Sequence, residues 1–556
     1  MAGEVMRRRS GPLAWGFGLA GLFLFRLLFG LTRGFFLEDE TQIFLIGFRY
    51  YATGRWPFFG PDVVWTKSEI PGALQGLLVG WPLKVWPVPE APVLLLVLLS
   101  TAALLCLARY AEIRLPSLPR WLIYGWFLAV PWTLHYSTTI INPSYVLPAA
   151  VAFFIGFFEA VPRLRVGWVR RGTAFFLMGA ATTWVMQLHM SWVLLLPYAA
   201  FAWFGAPDRR LRGRAADAFV FAAGAAVPAL FLIPTLVVYH GHPALTGFGR
   251  NLDAHWVNPW GLVRRAAQFL SFASLEITRF VGTGNAERLM LFDDHLWLAP
   301  FAAVVWLAGI VQPIWMAIEW IRRRPARADW RMLKWIVAAS VVLVYASYWF
   351  VMEPSQARAY YVLAPLALLF AASCWSFVDG PRTRALAGGL LAANITFHAG
   401  LAWVQAPQQS LYTNRAPVAE ALRLKAPEMF AHRRAFAIDA GPAALADPSR
   451  PFNPSRDVEV VAAAPTVGIA GALQWTVVVR NTNPRIAFRD LFYVTTYRDA
   501  SGRVVDERSE CIRQILEPGD VRSVRFIDGF APTAYAAAAF RIVSAEALLP
   551  TPPAVR

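Results

Sequence analysis

Apolar positions along most of this chain gather into long blocks, and near its end they switch to short alternating runs. Blocks close to twenty residues predict membrane-spanning helices near 12–32, 91–109, 120–138, 143–160, 172–188, 190–206, 216–239, 296–320, 331–350, 359–378 and 384–403, about eleven in all. The stretch 70–87, IPGALQGLLVGWPLKVWP, is also apolar. Taken as a span it would move the loop of Arg109, Arg114 and Arg120 to the other face. It therefore predicts a juxtamembrane helix lying in the interface, rich in Trp and ended by Pro. From about 456 a period of two takes over, in LQWTVVVRNTNP, AFRDLFYVTTYRDASG, RVVDERSECIRQI, LEPGDVRSVRFIDG and AYAAAAFRIVSA. Turn signals at Asn483-Pro484, Ser501-Gly502 and Pro518-Gly519 separate these runs, which predict a small antiparallel β-sandwich of roughly ninety residues.

Charge orients the helices. Arg7, Arg8 and Arg9, then Arg109, Arg114 and Arg120, then Arg163, Arg165, Arg170 and Arg171, then Arg209, Arg210, Arg212 and Arg214 all fall on one face. The same face collects 322–324, Arg327, Arg331, Lys334, Arg382 and Arg384. The short opposite loops HYSTTIINP, QLH and MEPSQAR contain one basic residue, Arg358. The positive-inside bias predicts a cytoplasmic N-terminus and an outer C-terminal domain, in a multi-pass protein of the inner (plasma) membrane. The expected fold class is a mainly α polytopic membrane protein with interfacial helices in its first outer loop and a C-terminal antiparallel β-sandwich. Its divisions are a membrane domain over 1–403 with long outer loops at 33–90 and 240–295, a linker over 404–455 with one helix near 415–425, and the sandwich over 456–556.

Composition agrees and narrows the function classes. Hydrophobic residues are 57% and charged residues 16%, too few charges for a soluble surface on 556 residues. The net charge of +17 comes from short loops between apolar blocks, so it reads as membrane orientation and not as a nucleic-acid surface. Cys106 and Cys374 lie in apolar blocks and leave Cys511 without an expected partner, so there is no disulfide framework to read. The arginines before the first block suggest a signal peptide, but Arg26 interrupts that block and no small-residue cleavage site follows, which favours an uncleaved span. Arg26 itself is costly in lipid and should face the bundle or reach for the interface.

Polar residues with chemical potential collect on the predicted outer face. They are Glu38, Asp39, Glu40, Tyr50, Tyr51, Arg55, Lys67 and Glu69, then Asn142 and Ser144, then Gln187 and His189 at a hairpin tip. Arg250, Asp253, His255, Arg264, Arg265 and Asp293-Asp294-His295 follow, then Glu353, Gln356, Arg358, Tyr360 and Tyr361. Arg264 and Arg265 read most simply as headgroup contacts. Asp293-Asp294-His295 has metal-ligand residue types, but adjacent residues rarely converge on one ion and a helix cap is the simpler account; neither a metal nor another cofactor is expected.

The segment FFLEDETQIFLIGFRYYATGRWPFFG resembles the first outer loop of GT-C glycosyltransferases, in particular the protein O-mannosyltransferase and lipid A aminoarabinose transferase branches. That family has an acidic pair directly after the first span, then an aromatic amphipathic helix with a Gly and Pro exit. TKSEIPGALQGLLVGWPLKVW resembles the next element, a Lys followed by Pro and a second juxtamembrane helix. The resemblance covers roughly 10–400 in topology and is sharp over about 33–87. It implies that the acidic pair falls on Asp39-Glu40, with Asp39 the general base and Glu40 beside it, and that Lys67 contacts a lipid phosphate. Two departures stand out. Ser-Glu-Ile-Pro follows Lys67 where the branch has Pro-Pro, and Asn142 and Ser144 stand where many members have an Asp. The NPS and QLH motifs are similar to those of bacterial members of the group. The NTNPRIAFRDLFYVTTYRDASGRVV and LEPGDVRSV pieces resemble the FxLYD type of immunoglobulin-like bacterial surface domain, which implies an interaction or spacer module.

Transfer from a polyprenyl-phosphate sugar needs a base for the acceptor hydroxyl and cations or dipoles for the departing phosphate. The expected partners are a polyprenyl-phosphate-linked sugar donor, a lipid, glycan or protein acceptor, and the bilayer; no nucleic acid is expected. Asp39 and Glu40 are the catalytic candidates, and Lys67, Tyr50, Asn142, Gln187, His189, Arg358 and Tyr361 are the substrate-binding candidates. The alternative reading is a transporter or flippase of lipid-linked glycans. Such proteins tend to show internal repeats and mid-membrane charges. No clear repeat is visible, and the acids sit at the interface. A third is a catalytically inactive scaffold that presents the sandwich.

Overall fold

A computed structural model of the chain describes residues 12–32, 38–63, 68–205, 211–242, 245, 256–281, 285–322, 328–350, 356–409, 452–467, 472–512, 516–532 and 535–547. Lys67 and the predicted helix near 415–425 lie outside them, as do Arg250, Asp253, His255 and Glu353. Contacts divide the chain into two compact units, 1–277 with 300–438, and 278–299 with 439–556.

Helices come first, in the order α1 (Pro12–Thr32), α2 (Glu38–Thr53), then a hairpin of β1 (Phe59–Val63) and β2 (Ser68–Pro71), then α3 (Leu74–Val85) and α4 (Glu90–Arg114). They continue with α5 (Arg120–Ala129), α6 (Pro131–Tyr136), α7 (Val146–Ala160), α8 (Arg171–Met186), α9 (Leu196–Phe204), α10 (Leu211–Ala229), α11 (Ile233–Val238) and α12 (Trp260–Leu270). Next are α13 (Ile277–Val281), α14 (Asn285–Asp294), α15 (Ala299–Arg322), α16 (Ala328–Ser347), α17 (Ala364–Phe377) and α18 (Pro381–Gln409). A short α19 (Pro454–Asp457) opens the strand region, β3 (Val458–Val467), β4 (Ala472–Asn481), β5 (Phe488–Arg498), β6 (Val504–Ile512), β7 (Val521–Phe530) and β8 (Ala537–Ala547).

Among the described residues six helical stretches are long and apolar enough to cross a membrane: Leu13–Thr32, Glu90–Arg114, Leu296–Arg322, Asp329–Phe350, Ala357–Phe377 and Pro381–Ala406. The other five predicted spans fall on shorter or broken helices. The break between α5 and α6 has a clear cause. Pro131 has no N–H, so the carbonyl of Phe127 loses its helical donor and accepts from Thr133 Oγ1 at 2.9 Å instead. The Trp132 N–H is diverted to Phe272 O at 2.9 Å, which frees the carbonyl of Leu128.

Arg26 fills that gap. It is fully buried on α1 and donates to Leu128 O (2.7 Å), Thr133 O (3.4 Å), Thr101 Oγ1 (3.2 Å), Ser100 Oγ (3.0 Å) and Ser137 Oγ (2.8 Å). Of the two expected outcomes it takes the first and faces the bundle, joining α1, α4 and α5 to the turn after α6.

One end of the helices is a basic layer tied by its own carboxylates and carbonyls. Arg114 donates to Leu164 O and pairs with Asp329 at 3.7 Å. Arg171 pairs with Asp217 at 3.0 Å and donates to Ala160 O. Glu159 accepts the N–H groups of Val166 and Gly167 and the hydroxyl of Tyr110, each at 3.0 Å. Among the described residues, Arg114 and Arg171 thus join the segments around Leu164, Ala160, Asp217 and Asp329 at this end.

Helices α8 and α10 approach closely because each has a glycine at the crossing. A Cβ at Gly179 would come within 1.9 Å of Phe221 O, and one at Gly224 within 2.1 Å of Phe176 O. Backbone contact through small residues is how membrane helices associate without a hydrophobic drive. Gly179→Val should therefore push the pair apart and cost about 1–3 kcal/mol. The expected result is a lower melting temperature in detergent, whereas a surface glycine such as Gly18, which has nothing within 4 Å, tolerates Ala.

In the second unit, β3-β4-β7 and β6-β5-β8 form two three-stranded antiparallel sheets. Leu473, Trp475, Val477 and Val479 are buried at alternate positions of β4 and share one core with Leu491, Tyr493, Tyr497 and Ile542. Trp475 Nε1 donates to the Tyr497 hydroxyl at 2.8 Å. Helix α14 belongs to this unit. Asp293 accepts from Gln474 Nε2 at 3.1 Å, and Asp294 from Arg525 Nη1 at 2.8 Å. Arg525 also bonds Gln474 at 2.8 Å, so both carboxylates end α14 against β4 and β7. The helix-cap expectation for Asp293-Asp294-His295 is corrected: His295, at the cap position of the next turn, makes no side-chain cap bond.

Candidate functional site

The excursion between α1 and α4 builds the first layer of the site. Helix α2 buries Ile43, Phe44, Gly47 and Phe48 on one stripe, while Arg49 on the other is exposed. It crosses α3 backbone to backbone. A Cβ at Gly47 would meet Val79 at 2.5 Å, and one at Gly80 would meet Gly47 O at 2.6 Å. Trp81, Val85 and Trp86 on and after α3 remain exposed. Glu38, Asp39 and Glu40 are the first residues of α2.

Tyr50 takes part in this packing. Its hydroxyl accepts from Trp81 Nε1 at 3.0 Å, and Lys84 Nζ sits 3.8 Å from its ring centre. Tyr50, one of the substrate-binding candidates, is therefore engaged in holding α2 to α3.

The hairpin adds a carboxylate pair that sequence reasoning passed over. Asp62 and Glu69 are register partners across β1 and β2. Burial raises the Glu69 carboxyl above its usual range, the facing Asp62 adds to this, and His242 opposes it. The signal was present as alternation through GPDVVWTKSEIP, but cross-strand pairing is needed to see it.

Backbone bonds fasten this layer to the ends of the long helices. Gly72, at φ +112°, donates to Phe58 O at 2.9 Å, Ala73 N donates to Phe231 O at 3.1 Å, and Thr235 Oγ1 donates to Phe58 O at 2.5 Å. Gln187 sits beneath. Its Nε2 donates to Pro228 O at 2.8 Å and serves a carbonyl at the end of α10. A Cβ at Gly72 would lie 2.4 Å from its Oε1, an acceptor that is buried without a hydrogen bond among the described residues. Gly is required at 72 by the positive φ and by this approach.

His189 follows one turn on. Its Nδ1 accepts from Ser191 N at 3.1 Å and lies 2.8 Å from Ser191 Oγ. Burial, followed by the positive charge of Arg358, holds its imidazole down at about 3, so it is uncharged at neutral pH. This places His189 and Arg358, 169 positions apart in the numbering, in one electrostatic neighbourhood.

The turn 137–145 is locked against the same end. Tyr145 OH donates to Pro92 O at 3.0 Å, and Trp184 Nε1 donates to Tyr145 O at 3.1 Å. The Asn142–Pro143 bond is cis. Asn142 Oδ1 and Ser144 Oγ are buried and make no hydrogen bond among the described residues. Tyr361 is buried with its ring 5.7 Å from Tyr136, and its hydroxyl, near Ser137 and Arg26, makes no hydrogen bond of good geometry among the described residues.

A buried network behind Arg358 was missed altogether. Glu276 accepts from Gln268 Nε2 at 2.7 Å, from Ala357 N at 2.9 Å and from the Tyr136 hydroxyl at 3.4 Å. Arg265 donates to Gln268 at 2.6 Å and lies over the Tyr348 ring at 4.6 Å. The headgroup expectation for Arg265 is corrected: 6% exposed, it is part of the protein interior, while neighbouring Arg264 is exposed. Periodicity along α12 separates the two faces, but nothing local in the sequence says that the arginine face is the buried one.

Within this unit the structure thus brings together the α2–hairpin–α3 layer, Gln187, His189, Arg358 and the turn holding Asn142, at the end of the helices opposite the basic layer. Among the described residues no group of three or more His, Cys, Asp or Glu is arranged to hold a metal ion. A carboxylate on this face can accept a proton, and a guanidinium can stabilise a leaving phosphate.

No protein-family model matches the chain, and no curated protein matches it either. Among solved structures it is similar to arabinosyltransferase EmbB from Mycobacterium smegmatis, with a TM-score of 0.37 and 14% identity over 99% of this chain. The match spans 65% of that chain.

Proposed function

We propose that this protein is an integral membrane glycosyltransferase of the GT-C type. It takes a sugar from a polyprenyl-phosphate donor and passes it to a lipid, glycan or protein acceptor on the outer face, with Asp39 as general base. The observation that carries the reading is the α2–hairpin–α3 layer, which opens on the acidic triplet and is bonded to the helix ends opposite the arginine layer. That placement suits a donor whose lipid tail stays in the bilayer while its phosphate and sugar sit at the interface. Base and leaving-group stabiliser then share one face: Asp39 removes the acceptor proton as the hydroxyl attacks the anomeric carbon, and the polyprenyl phosphate departs with the bonding electrons. Arg358 and Lys67 are the cations assigned to that phosphate. Asn142 and Gln187, each with a buried oxygen free of hydrogen bonds among the described residues, are assigned to sugar hydroxyls. His189, uncharged, offers a neutral donor or acceptor beside Arg358. Tyr361 and Tyr50 support the walls. The second unit is read as an extracytoplasmic spacer or interaction module.

The experiment is a transfer assay in proteoliposomes loaded with polyprenyl-phosphate sugars extracted from membranes. The expected result is release of free polyprenyl phosphate together with a glycosylated acceptor. Intact lipid-linked sugar crossing the bilayer with no bond broken would establish the flippase reading instead.

A further inference from the structure

A cavity of about 1160 Å³ begins at the basic end of the helices and runs along α16, between it and α7 and α9. That exceeds the roughly 300–1,000 Å³ of ordinary small-molecule pockets. Its cause is legible. Phe157, Tyr198 and Phe201 form one wall, and α16 faces them with Ala338, Ala339 and Ala346, too short to fill the gap. Tyr198 OH donates to Ser340 Oγ at 2.5 Å and bridges the two walls. The part of α16 that lines the cavity runs from Arg331 to Ala346, about 22 Å at 1.5 Å per residue. One leaflet's hydrocarbon is about 15 Å deep.

The polar groups are at one end. Arg163 and Arg331 line the cavity, both are exposed, and neither is paired with a carboxylate among the described residues. Their neighbours differ: Arg114 has Asp329, and Arg171 has Asp217. Exposed Trp335 lines the same cavity, where an amphipathic ring suits the headgroup level. An apolar slot that runs about 22 Å along α16 from two guanidiniums without a carboxylate partner among the described residues is complementary to an anionic lipid. We propose that this cavity binds an anionic phospholipid from the leaflet at the basic end, with an acyl chain between α9 and α16 and its phosphate held by Arg163 and Arg331. Guanidinium geometry matches phosphate oxygens two at a time, which a zwitterionic headgroup partly neutralises with its own amine. The cavity's two guanidiniums lie at the end of the helices opposite the proposed reaction.

The test uses the full chain in nanodiscs made from equal parts phosphatidylglycerol and phosphatidylethanolamine. The protein is then extracted into mild detergent, and retained lipid is counted by mass spectrometry. Wild type should retain phosphatidylglycerol in preference to phosphatidylethanolamine. Arg163→Gln with Arg331→Gln should lower that retention about fivefold or more, and replacement of both by Lys should lower it less. Ala339→Trp, which fills the slot and leaves both arginines in place, should also release the lipid. Elution volume and melting temperature identify any variant that fails to fold; Arg163→Gln alone, in a surface loop, then serves as the reporting variant. Equal retention of the two lipids, no retained lipid, undiminished retention in Ala339→Trp, or polyprenyl phosphate as the bound species would each overturn the proposal.

Discussion

Asp39→Asn should lower the rate of sugar transfer by about 10²–10⁴-fold, the usual contribution of a positioned general base. The substitution keeps side-chain volume and removes the capacity to take a proton. The loss should therefore appear in kcat more than in KM, since donor binding rests on other groups. Glu40→Gln should reduce transfer less, and Glu38→Gln should leave it near wild type. Placement on the first turn of α2 sharpens this comparison. A negative charge in the first turn of a helix is in general worth up to about 1 kcal/mol to that helix, so stability is measured beside the rate for each variant. A base contributes to the rate, a helix-terminal charge to the stability. Measuring kcat beside the melting temperature for the three variants separates the roles. If Asp39→Asn melts lower but transfers at the wild-type rate, Asp39 is a helix-terminal residue and the base lies elsewhere, with Glu69 next in line.

Arg26→Leu should destabilise the membrane unit by about 3 kcal/mol. The estimate weighs two buried helix carbonyls that lose a donor, about 1–3 kcal/mol each, and three hydroxyls that lose a partner, against recovery of the cost of burying a cation. The geometry explains why a charge is kept there. Pro131 breaks the segment between α5 and α6, Trp132 N–H turns away to Phe272 O, and Leu128 O is left for Nη1 of Arg26 at 2.7 Å. Arg26→Lys should recover only part of the loss, because one ammonium cannot reach acceptors on α4, α5 and the turn after α6 together. Thermal unfolding in detergent measures all three proteins. Equal midpoints for wild type and Leu would mean that the polar cluster rearranges at no cost, and the capping role assigned to Arg26 would fail.

Local pattern carried much of the architecture. Long apolar blocks marked helices, including the six long enough to span a membrane, because hydrophobicity over twenty residues is a property of the segment itself. Alternation marked the strands of the second unit, since a pleated strand places neighbouring residues on opposite faces. The arginine distribution separated the two ends of the helices, because short loops join consecutive segments at alternating ends. The segment 33–87 also announced two helices around a Gly- and Pro-containing exit, which α2 and α3 realise; the short hairpin between them was not foreseen.

What the tertiary structure decided lies between residues far apart in the chain. Arg26 looked like a liability until Leu128, 102 positions away, was seen to need a donor. Arg265 looked like a headgroup contact, but Glu276 and Gln268 gather it into the interior, and Ala357 joins them from 81 positions beyond Glu276. Asp293 and Asp294 had metal-ligand chemistry on paper, yet Gln474 and Arg525, 181 and 231 positions on, use them to seat α14 against the sheets. Gln187 and His189 were legible as polar residues at a hairpin tip, but only packing revealed a carbonyl of α10 below one and Arg358 beside the other. The physical reason is the same in each case. A segment's sequence sets its own periodicity, polarity and breaks, whereas the partner that satisfies a buried polar group is chosen by which helices and strands meet, and that is decided by the fold as a whole.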